Sequence, residues 1–129
     1  MALPRNVGLQ GLRYQGGVNQ FSWRINRWSG IGIVTFVSLH MLASLSTQVY
    51  GSNPIADTVN SIYMSVWFQI LIVFIVFFHA LHGLRVIILD LWPRFLEYQR
   101  ELTYAQLIIF IATFLMAAVI MLMAHFSAA

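Results

Sequence analysis

The chain has 129 residues, of which 60% are hydrophobic and only 9% charged, against roughly 25% charged in an ordinary soluble domain. All its cationic side chains apart from histidine are arginines, grouped near the expected membrane boundaries, so the net charge of +3 does not describe a nucleic-acid-binding surface. Cysteine is absent, which excludes disulfides, thiolate metal sites and iron–sulfur ligation by this chain.

Residues 1–20 are polar and Gly-rich and lack the apolar centre of a cleavable signal peptide. Residues 1–27 are expected to stay outside the bilayer. A first span is expected at about 28–49, opening Ser22-Trp23-Arg24-Ile25-Asn26-Arg27-Trp28-Ser29-Gly30 and containing His40. Arg27 belongs at the interface, ~18–20 Å along the helix from His40 and about 140° away on the helical wheel. In a regular helix the two therefore serve different sites. Ser29 and Gly30 suit close helix packing. For His40 a structural hydrogen bond and a ligand role both remain open. Tyr50-Gly51-Ser52-Asn53-Pro54 is a turn signal.

The second span, about 62–89, carries His79-Ala-Leu-His82-Gly83-Leu-Arg85-Val-Ile-Ile-Leu-Asp90. Ionisable groups at membrane depth are costly and mark functional sites. His79, Gly83, Val86 and Asp90 fall within about 40° of one another, with His82 and Arg85 on the flank. Gly83 leaves room one turn from His79 for a flat ligand or a neighbouring helix. Arg85, further along, suits an anionic group on something held by His79, and a haem with its propionates has that shape. The plainer reading has both histidines hydrogen-bonding between helices and Arg85 snorkelling to the interface. A zinc or di-iron site wants inward carboxylates, and no Asp or Glu lies inside any span.

Leu91 to Glu101 is a charged connection, with a short interfacial helix expected after Pro93. The third span, about 102–126, is read as packing and lipid contact, with His125 solvated at its end. Each span exceeds the ~20 residues needed to cross the hydrocarbon core. Arg5, Arg13, Arg24 and Arg27 before the first span, and Arg94 and Arg100 between the second and third, put the N-terminus and second loop in the cytoplasm. Tyr50, Tyr63, Trp67 and Trp92 sit near span ends as interfacial anchors. The expectation is an all-α membrane protein with one domain and three transmembrane helices.

Asn26-Arg27-Trp28-Ser29-Gly30 resembles the His-Arg-x-Ser-Gly signature of the succinate dehydrogenase cytochrome b membrane-anchor family. The pattern His79-x-x-x-Gly83-x-Arg85-x-x-x-x-Asp90 is similar to that family's haem-ligand segment. The order and separation of the two motifs, with three spans, extend the resemblance over nearly the whole chain. It implies a fold forming half of a membrane-anchor bundle, completed by a second three-helix anchor. It also implies a flavoprotein and an iron–sulfur subunit, with electrons passing from succinate to membrane quinone.

On the same resemblance, His79 ligates the iron of haem b, with Arg85 and His82 beside the cofactor, and Arg27 lies by quinone and propionates. His40 matches a first-helix ligand of two-haem members, which leaves one haem or two. Two positions depart from the pattern: Asn26 replaces a histidine, and Trp23 replaces a quinone-site serine that Ser22 would supply only with a shifted helix start. The catalytic residues of the dehydrogenase belong to other subunits. The implied location is the bacterial or archaeal inner membrane. A fumarate reductase anchor, a haem-free anchor and a proton-relay subunit using His79, His82 and Asp90 are the rivals.

Overall fold

The computed structural model describes residues 17–127. The expected N-terminal extramembrane segment up to residue 16, with Arg5 and Arg13, lies outside the described residues, as do residues 128–129. Four α-helices and one 3-10 helix make up almost all of the rest, with no strand among the described residues. They are α1 (Val18–Tyr50), α2 (Pro54–Met64), α3 (Val66–Leu91), the 3-10 helix Pro93–Tyr98, and α4 (Gln99–Ser127). Three of these helices are long and apolar enough to cross a membrane.

Helix α1 begins ten residues before the hydropathy boundary expected at 28. Its polar first turns are helical because they have partners to pack on: Ser22 and Ser29, seven residues apart, are both buried. The helix stops at Gly51, whose φ of 75° is a backbone state that only glycine adopts at no steric cost.

Helix α2 was not anticipated; its residues were expected to form a loop and the start of the second span. The start signals were nonetheless in the sequence. Asn53 caps the helix by accepting from Ala56 N at 2.9 Å, Pro54 occupies the first turn, and Asp57 follows in it. Asn53 also donates to Ser46 Oγ at 2.8 Å, which folds α2 back along the end of α1. The second span starts at Val66, four residues later than expected, because Ser65 leaves the helical conformation at ψ 129°. The break strands the last carbonyls of α2, and the Gln69 amide donates to two of them, Tyr63 O at 3.3 Å and Met64 O at 3.4 Å. The Gln69 side chain thereby satisfies backbone carbonyls that the break leaves free.

Between α3 and α4, Trp92 leaves the helical conformation before Pro93, at ψ 80°, and the short helix after the proline is of the 3-10 type. Helix α3 packs between α1 and α4. It runs antiparallel to α1, since Gly30 lies beside His79 and Gly32 beside Ile75. Small residues at this seam (Ser29, Gly30, Gly32) let the backbones approach, which is how helices associate where lipid removes the hydrophobic drive.

Helix α4 packs on α3 through edge-to-face contacts of Phe74 and Phe78 with Phe110, at 5.1 and 5.4 Å between ring centres. Such pairs contribute about 0.5–1.5 kcal/mol each. The outer faces carry exposed Val34, Leu42, Ile108 and Met123, the composition that lipid or a second apolar chain requires.

Candidate functional site

The motif on α3 is split between two faces. Phe78, His82, Arg85 and Leu89 are buried between the helices, while Val86 and Asp90 are exposed and His79 and Gly83 sit at the edge. A side chain added at Gly83 would meet nothing within 4 Å. The face that carries His79 is therefore open beside its glycine.

His79 is held by α1. Its Nδ1 lies 3.2 Å from Ser29 Oγ and 3.3 Å from the Asn26 carbonyl oxygen. Ser29 gives its single proton to that same carbonyl at 2.8 Å, so both neighbours present lone pairs to the ring. Nδ1 therefore carries the hydrogen, and in the neutral imidazole the free lone pair is on Nε2. Nε2 makes no hydrogen bond among the described residues. An imidazole whose Nδ1–H is fixed by a carbonyl is the arrangement of an oriented metal-binding histidine. The ring also packs on Gly30, where an added Cβ would stand 3.2 Å from Cε1.

Arg85 turns into the interface with α4. It donates to Thr103 Oγ1, which in turn contacts Asn19 of α1. It is thus committed to a three-helix junction and not to the open edge beside His79. His82 is 3% exposed and stacks on Phe78, facing inward with Arg85. An exposed cation near the level of His79 is Arg27, the residue after Asn26. Its guanidinium stands 4.8 Å over the Trp23 ring, and both residues are exposed. Ser22 has no exposed surface; it points into the bundle, away from the face that carries Trp23 and Arg27.

Residues 1–125 match the succinate dehydrogenase/fumarate reductase transmembrane subunit family. The chain belongs to that family. This transmembrane subunit is 34% identical over 91 residues to the succinate dehydrogenase 2 membrane subunit SdhC of Mycobacterium tuberculosis (strain ATCC 25618 / H37Rv). The alignment covers 67% of this chain and 65% of the relative's length, so somewhat over a third of that protein has no counterpart in the match.

Elsewhere in the transmembrane subunit, His40 is exposed and stacks on Phe36 at 5.9 Å, with Tyr63 tilted against it at 5.6 Å. Tyr63 and Phe68 complete an aromatic wall at 5.0 Å, and Tyr63 donates its hydroxyl proton to the Phe36 carbonyl at 3.2 Å. A cavity of about 400 Å³ lies alongside, reached by Gln69 and Met121. Ten residues of helix, ~15 Å, separate His40 from Gly30 and hence from His79. The two imidazoles therefore stand at different depths. His125 is exposed in the last turn of α4. Among the described residues no three His, Cys, Asp or Glu side chains form a metal-binding group.

Sequence reasoning did not single out three residues of this region, and took a fourth, Asn26, only as a departure from the family pattern. Asn26 acts through its carbonyl, which no side-chain pattern reveals. Asn19 was assigned to the polar leader. Thr103 and Gln106 had a signal, being polar residues three apart at the start of an apolar span.

Proposed function

We propose that this transmembrane subunit carries haem b in a succinate:quinone oxidoreductase and passes electrons from an iron–sulfur subunit to membrane quinone. The observation that supports it is the state of His79: Nδ1–H held by the Asn26 carbonyl, Nε2 unengaged, and open space at Gly83 on the same face. These residues fit a haem, whose iron His79 would hold through Nε2. Bound there, haem b would supply a one-electron redox centre within the membrane.

Under this reading the Asn26 carbonyl strengthens the imidazole as a donor and fixes its plane. Arg27 offers its charge to propionate or quinone oxygens at the same level, and Trp23 presents an aromatic face beside it. Ser22, buried in the bundle, would join Arg27 and Trp23 at the quinone only with a shift of this part of the helix, and Arg85 and His82 lie on the interior side of α3.

The partners are a flavoprotein subunit, the iron–sulfur subunit and a second three-helix anchor that completes the bundle on the open edge. The N-terminus faces the cytoplasm of a bacterial or archaeal cell, where Arg24 and Arg27 near the start of α1 and Arg94 and Arg100 after α3 meet the iron–sulfur subunit. His40, at its separate depth, would hold a second haem together with the partner anchor.

A reduced-minus-oxidised optical spectrum of the purified complex tests the proposal. A b-type signal at one or two haems per assembly is expected. An assembled, succinate-oxidising complex with no such signal would mean a haem-free anchor, in which His79 only ties α3 to α1.

A further inference from the structure

The end of the bundle that holds Arg85 is built in polar layers. The first contains Asn19, Arg85 and Thr103, one from each long helix and joined by hydrogen bonds. One turn further along each helix come Ser22, His82 and Gln106. These three are 0%, 3% and 5% exposed. Beyond them Phe78 and Phe110 close the layer with an edge-to-face contact at 5.4 Å.

The second layer is buried but not satisfied. Ser22 Oγ, His82 Nδ1, and both Gln106 Nε2 and Oε1 have no hydrogen-bond partner, nor does Arg85 Nε from the layer next to it. An unpaired polar atom in a buried layer is costly, and these stand on three helices at one level. Arg85 and Gln106, though neither Ser22 nor His82, line a cavity between α3 and α4 whose volume is about 130 Å³. That exceeds the space one water needs.

We propose that the Ser22–His82–Gln106 layer is a binding site for ordered water, anchored on the Arg85 guanidinium. The mixture of groups selects the ligand. Arg85 Nε and Gln106 Nε2 can only donate, Gln106 Oε1 can only accept, and Ser22 Oγ and His82 Nδ1 are able to do either. Water both donates and accepts. An anion would leave the glutamine oxygen unpaired, and a cation would stand against arginine. The water keeps a positive charge solvated in the bundle interior, where Arg85 has only Thr103 as a partner among the described residues. This site is independent of whether haem binds His79.

The test is a map of the assembled complex in lipid at a resolution that shows single waters. Density about 2.7–3.2 Å from Arg85 Nε or the Gln106 amide, and from Ser22 Oγ or His82 Nδ1, is expected. Direct pairing of these side chains with one another, an anion-like peak or a lipid chain in the layer would each overturn the proposal. Water-edited solid-state NMR of the same complex supplies a second readout. Magnetisation should pass from bound water to the Arg85 Nε–H and be lost in Gln106→Leu. Absence of transfer in the parent protein, or full transfer in a folded Gln106→Leu variant, would argue against the site.

Discussion

The His79 imidazole and the Asn26 backbone are bound across the α1–α3 seam, with Nδ1 3.3 Å from the carbonyl oxygen. One contact thus orients the only imidazole on the open face of α3 and also ties that helix to the segment that presents Arg27. Because the Asn26 acceptor is a backbone atom, replacing its side chain leaves the contact in place.

His79→Ala should abolish or reshape the b-type optical signal in a complex shown separately to be assembled. His82→Ala, removing a buried ring that stacks on Phe78, should leave the iron's spectrum nearly unchanged and lower stability instead. Reversed effects would assign the iron to His82.

The glycines offer a graded steric test. Gly30→Val drives a side chain against His79, where Cβ alone would already lie 3.2 Å from Cε1. A loss of about 1–3 kcal/mol and a perturbed haem spectrum are expected. Gly32→Ala meets only the terminal Cδ1 of Ile75 at 3.1 Å, an atom that can rotate away, so thermal stability should change little. Gly83→Leu extends into open space within this chain. Lowered haem content or failed association with the second anchor would mark what occupies that face.

Arg27→Leu should slow quinone reduction while succinate oxidation with an artificial dye acceptor is retained. The guanidinium is exposed over Trp23, so its loss leaves no cavity. Equal loss of both activities would point to faulty assembly with the iron–sulfur subunit.

Thr103→Val removes the side-chain hydroxyl that Arg85 contacts. A hydrogen bond to a charged group contributes about 1.5–3 kcal/mol. Accelerated thermal inactivation of the detergent-solubilised complex is therefore expected, with Thr103→Ser close to the parent. An unaltered Thr103→Val complex would show that Arg85 is held by other groups.

His40 and His79 are ~15 Å apart along the bundle and so cannot ligate one iron. His40→Leu should remove one haem of two and spare the His79 signal, read as haem stoichiometry per complex. A complex with a single haem that survives His40→Leu would confine His40 to its aromatic wall.

Much of this was visible in the residues themselves. The three apolar runs, the arginines at their ends and the spacing of His79, Gly83 and Arg85 are local properties, and hydropathy reads them directly. The pause at Asn53-Pro54 was also legible as a helix start, although it read first as a turn. The helical wheel separated His79 and Gly83 from His82 and Arg85, but a wheel has no inside or outside. Only the packing of α4 on α3 decided that Arg85 and His82 are buried and that His79 stands at the edge, because burial belongs to pairs of helices. The same holds for the Asn26 carbonyl and for Ser22, Thr103 and Gln106. The roles of these residues depend on what lies across a seam from them, and residues far apart in the chain meet there only after the bundle forms.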